Sequence, residues 1–105
     1  MAPIDPIHDD IQEELAEYLR RQLGNHAKVR EAKAVTLLDN SEPIPDISIV
    51  RPQRYRDRHP YVEDIYLLIE IANSRPARDT KVKRSIYARA GIPKYWVFNL
   101  EKSGS

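Results

Sequence analysis

The stretch Ile65-Tyr-Leu-Leu-Ile-Glu-Ile-Ala-Asn-Ser74 decides how the rest of the chain is read. Tyr66, Leu67, Leu68, Ile69 and Ile71 have the β-branched, aromatic and bulky aliphatic character of a strand buried on both faces, and the run is too short for a core helix. One carboxylate, Glu70, stands inside it. An ionised group there costs several kcal/mol unless a cation, a hydrogen-bond network or a metal receives it. The candidate partners are Asp46, which opens the apolar run Ile47-Ser-Ile-Val50, and the lysines beyond Asp79. A strand-end glutamate facing solvent is the plainer alternative.

A chain of 105 residues supports one modest core, so residues 1–105 are read as a single domain with tails at 1–6 and 101–105. Nothing approaches the roughly 20 apolar residues of a membrane span, and the N-terminus lacks a basic-then-apolar leader pattern, so the expectation is a cytoplasmic protein without membrane contact. With no cysteine there is no disulfide framework, thiolate metal site or cysteine nucleophile. Three glycines leave little room for a phosphate-cradling loop, no serine sits in a glycine-flanked elbow, and no organic cofactor is expected.

Net charge is +1, unevenly spread: residues 1–40 carry five cations against eight acids, and residues 51–94 eleven against five. A basic half suits a polyanion, nucleic acid above all, although a solvated surface produces the same pattern.

Upstream, Ile11, Leu15, Tyr18, Leu19 and Leu23 fall on one helical stripe, with Asp9 or Asp10 as N-cap and Gly24-Asn25 as the stop. Glu13, Glu14 and Glu17 mostly face away from it; Glu14 is the one placed to lean toward a site. Residues 27–38 alternate loosely and are read as a strand with a bend. Glu42-Pro-Ile-Pro-Asp46 then delivers Asp46 stiffly to the start of a second strand, where a local turn cap is the competing role.

Residues 51–64 form a loop in which Arg51, Arg54, Arg56 and Arg58 interleave with Tyr55 and Tyr61, as a backbone-tracking, base-stacking surface requires. No histidine has a second one at ligand spacing, so no histidine metal site is assigned. After the central strand, Asp79 caps a helix over 80–90 with Val82, Ile86 and Ala90 as its core stripe. Lys83 and Tyr87 flank that stripe, and Gly91 and Pro93 end the helix. Lys94–Leu100 is the last strand. The order is helix, strand, strand, strand, helix, strand. This predicts an α/β (mixed α+β) domain whose four-stranded sheet joins its last two strands in parallel by a right-handed crossover.

Asp46, Glu70 and a lysine of the following helix then form one constellation. Two carboxylates suit a magnesium or manganese ion that keeps waters for a phosphate substrate. The ion offsets their mutual repulsion.

Pro45-Asp46, Leu68-Ile69-Glu70-Ile71-Ala72-Asn73-Ser74, Asp79-x-x-x-Lys83-x-x-x-Tyr87 and Gly91-Ile92-Pro93-Lys94-Tyr95-Trp96-Val97, in this order, resemble the Uma-two family of restriction endonucleases in the PD-(D/E)XK superfamily. The resemblance spans roughly residues 7–101. It implies a restriction-endonuclease-like core and magnesium- or manganese-dependent hydrolysis of DNA phosphodiester bonds. It further implies Asp46 and Glu70 as metal-binding acids and Lys83 as the catalytic lysine. Ala72 stands where the superfamily motif has its lysine, so Lys83 would be a displaced lysine. The alternative is a catalytically inactive module of the same fold that binds nucleic acid or a partner protein. Arg51, Arg54, Arg56, Arg58 and Lys81 are the expected DNA contacts, and a homodimer covering Tyr95 or Trp96 is the expected assembly.

Overall fold

The computed structural model describes residues 6–72 and 84–99. Helix α1 spans Pro6–Leu23, strand β1 Lys28–Glu31, β2 Ile47–Val50, β3 Ile65–Ala72 and β4 Tyr95–Asn99. Residues 84–89 are helical, and short 3-10 turns occupy Gly24–His26 and Val62–Asp64. The strands form one sheet in the order β1-β2-β3-β4. β1 and β2 pair antiparallel, as do β2 and β3, whereas β3 and β4 run parallel, so the predicted mixed sheet is present.

α1 already includes Pro6, one residue before the predicted start, and proline's fixed φ and missing N–H are tolerated in a first helical turn. Asp9 therefore lies within the first turn, where its charge complements the helix dipole, and neither it nor Asp10 is the cap. Gly24 stops the helix in the left-handed region, at φ 53°. Ala16 is fully buried, and Leu15, Leu19 and Leu23 pack around it against Val29, Ile47, Ile49, Leu67 and Ile69. Tyr18, predicted on that stripe, is 53% exposed. It sits about 200° around the helix from Ala16, whose small side chain lets the backbone approach the sheet.

The strand expected over 27–38 shrinks to Lys28–Glu31. Ala32 turns to φ 51° while its N–H bonds to the Asp46 carbonyl at 2.9 Å, and that reversal ends the ladder. Val35 and Leu37 instead dive under the opposite face of the sheet, where they meet Val50, Ile65, Leu68, Tyr87, Ala90 and Ile92.

The sheet is thus covered by α1 on one face and by the 84–92 segment with Val35 and Leu37 on the other. Of the predicted stripe Ala90 is buried as expected, but Ile86 is 52% exposed and its neighbour Tyr87 takes the buried place beside Ala90. Tyr87 fits the sheet because its ring meets Tyr95 at 4.8 Å between centroids while its hydroxyl reaches a polar group. Lys81 and Lys83 lie outside the described residues, as do Val82 and the Asp79 cap. Gly91, at φ 91°, is required twice over: an added Cβ would stand 3.0 Å from Leu38 Cδ1 and 3.1 Å from Val62 Cγ1.

Candidate functional site

The two acids singled out in the sequence come together. The antiparallel register pairs Ile47 with Ile69, so one step outward sets Asp46 opposite Glu70 at the end of the β2–β3 ladder. Pro45 is buried just before Asp46 and holds the approach rigid. The Asp46 backbone carbonyl accepts from Gln12 Nε2 at 2.7 Å as well as from Ala32. Its carboxylate accepts the Ile71 N–H at 2.7 Å through Oδ2, and Oδ1 lies 3.2 Å from His8 Nε2. The other nitrogen of that imidazole, Nδ1, is 3.5 Å from Asp9 Oδ1. The first turns of α1 are therefore pinned to the acid through His8 and Gln12, neither of which carries any spacing signal linking it to position 46.

Glu70 is buried, 8% exposed, so the solvent-facing alternative does not hold. The Tyr87 hydroxyl stands 3.5 Å from Glu70 Oε2. Burial first, then the charge of Glu70 and its hydrogen bond and the charge of Asp46, push the Tyr87 phenol up to about 12. It keeps its proton at neutral pH and faces Glu70 as a donor. Both carboxylates bear on this one phenol. The sequence motif includes Tyr87 without giving it a role; burial supplies one.

The arginine loop behaves differently from its reading as a free basic surface. Arg51 Nε and Arg58 Nη1 converge on buried Asp64, at 3.2 and 2.9 Å, and Asp64 also accepts the Tyr61 N–H at 3.1 Å. Desolvation pulls the Asp64 carboxyl upward, but the arginines and the Tyr61 N–H outweigh it and hold the group below its ordinary value. The two tyrosine rings are also engaged. Arg58 lies 4.0 Å over the Tyr61 ring, while Lys28 and Arg30 lie 5.6 and 5.4 Å over that of Tyr55. All four loop arginines are exposed, and Arg54 and Arg56 carry no ion pair among the described residues. The loop follows β2 at its Val50 end, five residues from Asp46, or about 16 Å along an extended chain. Acids and loop arginines consequently occupy opposite ends of the sheet.

Glu14 is exposed on α1. Among the described residues no group of three or more His, Asp or Glu side chains suited to a metal converges. What they offer a cation is the Asp46–Glu70 pair of hard oxygen donors. That fits magnesium or manganese, which bind through one or two carboxylates and otherwise retain water. Among the described residues no helix is long and apolar enough to cross a membrane.

A four-stranded mixed sheet flanked by helices, with Asp46 opposite Glu70 across its two inner strands, is consistent with a nuclease-like core. The family described as "Putative restriction endonuclease", Uma2, matches residues 1–104. The chain belongs to that family. No curated protein matches it.

Proposed function

We propose that this chain is a nuclease-fold module that binds nucleic acid, with DNA as the expected partner. The observation that carries the reading is the separation within the sheet: cations are exposed at the Val50 end, and the acids stand at the other. A phosphate held by the exposed cations is thereby kept off the carboxylates. Both oxygens of Asp46 are also engaged by protein groups, so the carboxylate is part of the structure in its own right.

A second reading, metal-dependent hydrolysis of DNA phosphodiester bonds, is favoured by the placement of Asp46 opposite buried Glu70. Asp46 and Glu70 would hold a magnesium or manganese ion, which when bound polarises a phosphate and activates water. Lys83 would steady the developing charge on the phosphate, and Tyr87 would keep Glu70 oriented. Supercoiled plasmid incubated with the protein, with and without Mn²⁺, separates the two. Retarded but intact plasmid is the expected result. Mn²⁺-dependent nicking that disappears in Asp46→Asn, and falls at least about a hundredfold in Lys83→Ala, would replace the first reading by the second. A plasmid neither retarded nor cut would overturn both.

A further inference from the structure

Resting on the nucleic-acid reading, we infer that the phosphate backbone is held in a trough along the edge strand β1, formed by Lys28 and Arg54 with Arg20 at its side. Two adjoining hollows, of about 770 and 250 Å³, share Arg20, Lys28 and Val29 in their walls. The larger adds Arg54 from the loop, and the smaller adds Arg30 and Lys33. Residues far apart in the chain are therefore collected on one edge by the β1–β2 ladder, which pairs Lys28 with Val50 just before the loop begins.

Five cations border this trough, and the one acid among its lining residues is Glu31, already paired with Arg20 at 2.9 Å. Lys28 is held in place by the Gln53 carbonyl at 2.9 Å and by the Tyr55 ring, and two of its three ammonium protons remain for a ligand. Arg54 carries no ion pair among the described residues. Arg51 and Arg58, by contrast, are committed to Asp64. The chemistry suits a polyanion, and it selects against base reading. The apolar part of the lining is Val29, Ala27 and Pro52, and the nearby ring, that of Tyr55, is covered by Lys28 and Arg30 instead of being open to stack on a base. Contact with phosphates alone fixes position without reading sequence.

The test is fluorescence anisotropy of a labelled 20-base-pair duplex across a salt series, using the full chain and Lys28→Ala/Arg54→Ala. Both side chains are exposed, so the double variant should keep its thermal midpoint. Losing two phosphate contacts should flatten the log–log salt slope by about 1.8, equivalent to roughly sixtyfold weaker binding at 0.1 M salt. An unchanged slope in the double variant, with the parent chain still binding, would overturn the trough and leave the nucleic-acid reading standing. A parent chain without salt-dependent binding would overturn both. Equal affinity for duplexes of unrelated sequence is the second expected result, and a preference above about tenfold would count against a phosphate-only contact.

Discussion

Asp64 shows how far a residue's surroundings outrun its place in the sequence. In the linear chain it is one of three acids in a polar loop; in the fold it is the buried hub for two arginines and a backbone N–H. Replacing it with asparagine removes the charge that Arg51 and Arg58 face. Asp64→Asn should therefore lose about 1–3 kcal/mol in urea unfolding at pH 7. Because the folded carboxyl titrates below its unfolded value near 3.9, the stabilisation is present above that value. It disappears as pH falls through the folded one, and with it the difference between parent and variant. A gap that persists at pH 2 would mean that packing, not charge, is what Asp64 contributes. Asp46 is also structural: its Oδ2 satisfies the Ile71 N–H. Asp46→Ala should thus cost about 1–3 kcal/mol, the usual penalty for an orphaned buried donor. His8→Ala, which breaks a partly exposed contact, should cost under about 1 kcal/mol. Equal losses would show that the bond to Ile71 is not what makes Asp46 costly to remove. Asp46→Asn, which retains an acceptor, is for this reason the variant to use in activity assays.

At the scale of elements, the turn closing the 84–89 helix is tightly constrained at Gly91. Gly91→Ala meets both a positive φ and two side chains at near-clash distance. A destabilisation of about 1–3 kcal/mol is expected, measured as a lower unfolding midpoint. Relief by an accompanying Leu38→Ala would assign the cost to contact, whereas no relief would assign it to the backbone. Much of this level was legible from pattern alone. The apolar run at 65–71, the Gly24 stop and the Gly91–Pro93 stop each carry a local physical signal, and β2, β3 and β4 lie close to where those signals put them. Periodicity misled where two stripes compete. Ile86 is the more hydrophobic residue, but Tyr87 can satisfy packing and a polar partner together. Similarly, nothing in the alternation of 27–38 reveals that Ala32 will leave the ladder.

For the whole molecule, β4 is an edge strand with Trp96 56% and Phe98 48% exposed, and they neighbour Ile69 and Ile71 in the parallel register. Tyr95, the other aromatic expected at an interface, is instead half-buried against Tyr87. The homodimer expected from the sequence remains our proposal, with Trp96 and Phe98 as its surface. Sedimentation at micromolar concentration should give twice the chain mass, and Trp96→Glu should return it to monomer; a parent chain sedimenting as monomer would remove the idea.

The sequence by itself determined the kind of sheet and the place of the two acids, because strand runs, proline-stiffened approaches and glycine stops are local features that act through neighbouring residues, and the order of its motifs gave the family resemblance. Only the tertiary structure decided which groups meet. His8 reaches Asp46 and Tyr87 reaches Glu70, while Arg51 and Arg58 pair with Asp64 and Lys28 joins Arg54 on the β1 edge. These encounters follow from strand register and helix packing, which sum contributions across the whole core. The charge on a side chain fixes what it can bind, and the ladder that carries it fixes what it is near.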